Sequence, residues 1–224
     1  MTNLSAQESE FGSLLNTPVL GLPTERIHRE TFATGLTGAD PNQCVFWWAN
    51  FPRNELVPYV QALGPALPLV GMYSGGMHAT RIPLARHRAL AEYVATIYAK
   101  EIMARFPDAT FRLGGICFGG RIADLVSQKL IAAGCKVEAL CVLDYSHTDL
   151  YRFPGRLLML FSSKSGDRFY APIRWGEENW EKPFQSQPQS IAIDCRHRKF
   201  FSKDIAPILA QHVRDFFTVP ENED

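Results

Sequence analysis

No stretch of this 224-residue chain approaches the run of about 18 apolar residues that a membrane helix needs. The first twenty residues, MTNLSAQESEFGSLLNTPVL, lack the basic start and apolar centre of a secretory signal. Together these absences set the expectation of a soluble, cytoplasmic protein that works without a membrane. Net charge is missing too. With 23 basic residues against 23 acidic ones, no global field draws the chain to nucleic acid or to an anionic surface, and any charged partner must be met by a local patch. The five cysteines (Cys44, Cys117, Cys135, Cys141 and Cys195) are odd in number and contain no C-x-x-C pair. That pattern fits neither a disulfide framework nor a structural zinc site. There is no P-loop, no G-x-G-x-x-G opening a helix and no H-E-x-x-H, so no nucleotide, metal or permanently bound cofactor is expected.

What is present is a large apolar fraction, 46%, in a length that one domain commonly fills. Residues 1–25, rich in Ser, Asn, Gln, Glu and Pro without periodicity, read as a flexible lead-in, and residues 26–224 as one domain. Within it, apolar runs too short for helices predict strands at Cys44–Trp48, Leu67–Met72, Phe111–Ile116, Ala139–Asp144, Leu157–Phe161 and Ile191–Asp194. Between them, spacings of three and four predict helices through Leu56, Tyr59, Val60 and Leu63, through Leu90, Val94 and Ile97, and through Ile122, Leu125, Val126 and Leu130. Gly134 reads as the residue that ends the third. A last helix, with Ser202 as N-cap, carries Ile205, Ile208, Leu209, Val213 and Phe216. Such alternation predicts an α/β fold: a mostly parallel sheet, helices on both faces, ligands at the carboxyl ends of the strands.

The stretch FRLGGICFGGRIAD, residues 111–124, sets Gly115 and Gly119 on either side of Cys117. A strand before and a helix after make this turn a nucleophile elbow, with glycines that let strand and helix approach and a side chain standing clear of the sheet. At the helix start, the Phe118 N–H points where an oxyanion would form, and the helix dipole favours a thiolate. Cys44, Cys141 and Cys195 lie in or beside apolar strands and read as core, while Cys135 reads as a surface thiol.

With these residues in view, the segment RLGGICFGGRIADLVSQKLIAAGCKVEALCVLDYS, together with LPLVG at 67–71, resembles the thioesterase domains of non-ribosomal peptide and polyketide synthases, over roughly Val45 to Phe217. The resemblance implies an α/β-hydrolase fold and a nucleophile, acid and base in that chain order. The family's usual serine is replaced by Cys117. Its acid falls on Asp144, 144 − 117 = 27 residues later, and its histidine on His197 in DCRHRKFF. Asp167, after the following strand, is the runner-up acid, at the place used by dienelactone hydrolases. His147 reads as a solvated loop residue, and His28, His78, His87 and His212 have no motif around them.

Two departures from the family stand out. Its first loop reads His, small residues and paired glycines, whereas WWANFPRNE has Trp47 at the histidine, no glycine, and Ala49 where register puts the second oxyanion N–H. Only the ten residues Tyr145–Pro154 stand before Gly155, where the family inserts a helical lid, so a short or absent lid and an open site are expected. Cysteine itself bears on function. Attack by a thiol exchanges thioester for thioester and leaves the acyl group activated, which suits transfer to a thiol or amine over discharge to water. Members of the family that shuttle aminoacyl groups between carrier proteins use cysteine here. The resemblance thus implies an acyl or peptidyl carrier protein as partner, with the substrate on its phosphopantetheine arm. Arg196, Arg198, Lys199 and Lys203 flank His197, and Arg81, Arg86 and Arg88 precede a helix, as positive charge for such a partner. Two other readings stand beside acyl transfer: a carrier-binding module that has lost catalysis with its oxyanion loop, and a dienelactone-type small-molecule esterase.

Overall fold

A computed structural model describes residues 30–33, 41–50, 53–74, 83–145, 153–164 and 188–218. Seven strands form one sheet: β1 (Glu30–Ala33), β2 (Val45–Ala49), β3 (Leu69–Tyr73), β4 (Phe111–Ile116), β5 (Val137–Leu143), β6 (Arg156–Ser162) and β7 (Gln189–Ile193). The helices are α1 (Arg53–Leu63), α2 (His87–Arg105), α3 (Phe118–Ala132) and α4 (Ala206–Thr218). The strand order is β1-β3-β2-β4-β5-β6-β7. Every neighbouring pair is parallel except β1 with β3, which is antiparallel. The predicted mostly parallel α/β sheet is therefore borne out. What the spacing did not signal was β1, whose four residues ETFA are too short to carry a pattern.

Parallel strands buried on both faces need apolar side chains pointing both ways, and the alternation supplies them. Along β2, Phe46 and Trp48 join one core with Leu90, Val94 and Tyr98 of α2 and Ile122, Val126 and Leu130 of α3. On the opposite face, Val45 and Trp47 join Leu56, Tyr59 and Leu63 of α1 and Leu209, Val213 and Phe216 of α4. Each fully buried side chain of this size contributes about 1.5–3 kcal/mol, so the two cores fix which face each helix covers. Arg156 ties the sheet to the end of α4, donating from Nη1 to the Phe216 carbonyl at 2.6 Å and from Nη2 to Glu138 at 2.7 Å.

Helix ends follow local chemistry. Gly134 has φ +86, and its N–H reaches the Ile131 carbonyl while that of Cys135 reaches Leu130, both at 2.9 Å. Those two bonds are the Schellman pair that stops α3. Ser202 departs from its expected capping role: its hydroxyl donates back to the Lys199 carbonyl at 2.7 Å, and α4 starts only at Ala206. Among the described residues, no helix is long and apolar enough to cross a membrane. The lead-in at 1–25, Arg81, His28, His78, His147 and Asp167 lie outside the described residues.

Candidate active site

Cys117 is the single residue between β4 and α3, and it takes φ 54, ψ −117. A side-chain-bearing residue in this region costs on the order of 1–3 kcal/mol and persists only where its surroundings hold it. Here the holding is visible. The Cys117 N–H donates to the Leu143 carbonyl at 2.8 Å, and its own carbonyl accepts from Arg121 N–H at 3.1 Å, the first bond of the helix. The glycines are required by contact. A Cβ on Gly115 would lie 2.8 Å from the Gly120 nitrogen and closer still to the Gly119 backbone, and one on Gly119 would run into the Trp48 carbonyl. Strand, turn and helix are thus packed backbone on backbone, which throws the Cys117 side chain outward. It is partly exposed.

Asp144 follows β5 directly and also has positive φ, 44. Predicted as the last strand residue, it instead turns out of the sheet, its N–H bonded to the Leu160 carbonyl at 2.8 Å. The carboxylate is buried and receives two donors from Ser162: the N–H on Oδ1 at 2.7 Å and the hydroxyl on Oδ2 at 2.5 Å. Oδ2 also faces His197 Nδ1 at 2.7 Å. His197 opens a short 3-10 turn, His197–Lys199, beyond β7. Burial alone would lower its pKa, but hydrogen bonds with the Asp144 carboxylate and the Cys117 thiol, and the charges behind them, raise it to about 9. Since Asp144 takes Nδ1, the other ring nitrogen is left for the sulfur. The three residues nominated from the sequence therefore stand in one hydrogen-bonded line, Cys117–His197–Asp144, and the line favours a protonated imidazole at neutral pH.

The other thiols differ. Cys141 is pushed far up by burial, and Cys195 to about 12 by burial and by the nearby charges of Asp144 and Asp194, so neither ionises near neutrality. Cys44 is buried and Cys135 partly exposed.

At the candidate oxyanion pocket, Phe118 is the first residue of α3, and its N–H has no acceptor among the described residues. Ala49 sits differently from the loop position expected of it. It is the last residue of β2, fully buried beside Tyr73, with its carbonyl accepting from Ser74 N–H at 3.0 Å. Trp47 lies inside the strand, within the predicted Cys44–Trp48 run, its ring against Gly114, and the strand continues one residue further, to Ala49. The loop begins at Asn50.

Sequence reasoning missed three supports. Asn50 is one. Another is Ser162, at the end of β6, whose two bonds to Asp144 no local motif announces. The third is Asp124 on α3, buried, which accepts from the Tyr145 hydroxyl and from Gln128, each at 2.9 Å. Because Tyr145 follows Asp144, that bond ties the turn at Asp144 to the helix that starts just after Cys117. Around the site, Arg196, Arg198, Lys199 and Lys203 are exposed beside His197, and Arg86 and Arg88 are exposed at the start of α2.

No family model matches the chain. It is 42% identical over 72 residues, 32% of its length, to the non-reducing polyketide synthase PKS1 of Zymoseptoria tritici. Over 47% of its length it is 32% identical to non-reducing polyketide synthase 1 of Elsinoe fawcettii. It spans only 3% and 6% of those two proteins. Among solved structures, it superimposes on the NocB thioesterase domain, determined in covalent complex with a fluorophosphonate nocardicin G analogue. The TM-score is 0.56 at 17% identity, covering 81% of this chain and 96% of that one. The surfactin thioesterase domain SrfTE and the type II thioesterase YbtT give TM-scores of 0.53. The fold is that of the α/β-hydrolase thioesterases.

Proposed function

We propose that this chain, built on the α/β-hydrolase fold of thioesterase domains, is a cysteine-dependent acyl-transfer enzyme. Its substrates would be acyl or aminoacyl thioesters on the phosphopantetheine arm of a carrier protein in polyketide- or peptide-type biosynthesis. The observation that carries this reading is the hydrogen-bonded line from Cys117 through His197 to Asp144, with the thiol on a strained turn at a helix N-terminus.

The chemistry follows from the geometry. The Cys117 sulfur, its proton held by His197, attacks the thioester carbonyl; the C–S bond to the enzyme forms as the carbonyl electrons move to oxygen. The Phe118 N–H and the α3 dipole stabilise that oxyanion. Collapse expels the pantetheine sulfur, which takes the imidazolium proton, and leaves an acyl-enzyme thioester. An incoming thiol, amine or water then gives its proton to His197 as it attacks, and Cys117 departs. Asp144 holds the ring orientation and offsets the imidazolium charge throughout. No resident cofactor enters this scheme; the pantetheine arm belongs to the partner.

The test follows label. An acyl- or aminoacyl-loaded carrier is mixed with the protein, and intact mass tracks the acyl group. The expected result is an acyl adduct on Cys117 that a second carrier's thiol or an amine discharges faster than water does. Label appearing only as free acid, whatever acceptor is offered, would make the protein a hydrolase. No adduct and no turnover would favour the binding module.

A further inference from the structure

The elbow is clamped from the β2 side by one buried amide. Asn50, only 7% exposed, is the first residue after β2. Its Nδ2 donates to the Ile116 carbonyl at 2.9 Å, one residue before Cys117. Its Oδ1 accepts the Gly119 N–H at 3.0 Å, two residues after Cys117. The Ser74 hydroxyl, at the end of β3, donates to the same oxygen. A planar amide with a donor and an acceptor on neighbouring atoms thus bridges the two flanks of the strained residue, and Ser74 fixes the amide's orientation.

From this bridge we infer that Asn50 is a positioning residue for Cys117: it holds the elbow at its positive φ and so keeps the thiol in line with His197. The inference rests on Cys117 being the nucleophile. The first N–H groups of a helix have no partner within it, and the carbonyl before the turn leaves the ladder as the strand ends. If the elbow relaxed toward negative φ, the Ile116 carbonyl and Gly119 N–H would swing apart and one amide could not satisfy both. The clamp therefore penalises relaxation at the residue where relaxation would move the sulfur. It also has a selective effect. By taking the Gly119 N–H, Asn50 leaves the Phe118 N–H as the donor facing the site. WWANFPRNE has no glycine pair, and the loop position just after β2 is used instead for this brace.

The experiment compares wild type with Asn50→Ala, and measures the alkylation rate of each thiol by iodoacetamide across pH, read by peptide mass. Cys135, remote from the clamp in sequence and partly exposed, serves as internal control. The expected result is a rate at Cys117 about tenfold or more lower near neutral pH, as displacement of a reacting group by a fraction of an ångström entails. The midpoint of its pH profile should also move upward, because a thiol displaced from His197 ionises less readily. Cys135 should be unchanged. A merely structural role would lower thermal stability but leave the pH profile of folded protein in place. Should the alanine variant fail to fold, Asn50→Ser, which keeps one hydroxyl for the Gly119 N–H, is expected to give an intermediate shift. A folded variant whose Cys117 rate and midpoint stay within about twofold and a few tenths of a pH unit of wild type overturns the inference. If wild-type Cys117 reacts no faster than Cys135, the nucleophile reading itself has failed, an outcome separate from a reactive Cys117 indifferent to Asn50.

Discussion

At the scale of single residues, the site's most specific feature is the crowding of Asp144. Its buried carboxylate takes three donors, two from Ser162 and one from His197. Asp144→Asn replaces an acceptor-only group by one that must point an NH2 at a donor, so the imidazole loses its orientation. Onward transfer should fall by about 10²-fold or more. That loss stops short of the ~10⁴-fold fall of a serine triad deprived of its acid, because a thiol needs less help to ionise. Steady-state transfer rates, with circular dichroism to verify folding, check this. Asp167→Asn should change little, and the reverse ranking would move the acid. His197 gives a second prediction, on stability. Its folded pKa of about 9 lies above the ordinary value of 6.5, so the folded state holds the proton more tightly. That stabilisation is fully present below about pH 6.5 and is lost as pH rises through 9. Melting temperature should therefore fall across this window in wild type and fall less in His197→Gln.

At the scale of elements, two glycines separate close approach from backbone conformation. A methyl at Gly115 would enter the Gly119–Gly120 backbone, so Gly115→Ala must push β4 and α3 apart and should cost both stability and the reactivity of Cys117. Gly134 has open space around it but φ +86, so Gly134→Ala carries only conformational strain of about 1–2 kcal/mol. At 2–4 °C per kcal/mol for a chain this size, its melting point should drop by roughly 2–8 °C with Cys117 alkylation unaltered. Thermal unfolding and thiol alkylation on both variants distinguish the two effects. The same elements show what a sequence can disclose. Phe111–Ile116 and the glycines around Cys117 were legible because strand period, close approach and turn chemistry are all local. Asp144 as candidate acid came from the resemblance to synthase thioesterases, because chain order alone fits Asp167 equally. Asn50 was not legible, since its partners in the elbow lie 66 and 69 residues away and an Asn in a loop carries no pattern. Nor was Ala49's place in the sheet. Strand ends are set by pairing across to β3, which apolar runs do not record.

At the scale of the whole molecule, the balance of charge means that attraction to the proposed carrier would have to come from local exposed charge, Arg196, Arg198, Lys199 and Lys203 around His197 with Arg86 and Arg88, and not from a global field. Screening over a Debye length of ~8–10 Å should make loading slow markedly between low and physiological salt. Loading measured on a small-molecule thioester should be indifferent to it. Under the proposed function, a cysteine nucleophile governs the second half of the reaction. In Cys117→Ser the line to His197 and Asp144 is retained, so a carrier thioester can still load the enzyme. The product is then an oxyester, more stable than a thioester, and returning it to a thiol runs uphill. Loading should accordingly survive the substitution better than onward transfer, and the serine variant should accumulate acyl-enzyme that water or an amine removes slowly. Following label from first carrier to enzyme to second carrier separates the steps. If the serine variant passes label to a second thiol as fast as wild type does, the thioester intermediate confers no advantage, and cysteine no longer favours acyl transfer even though the nucleophile stands.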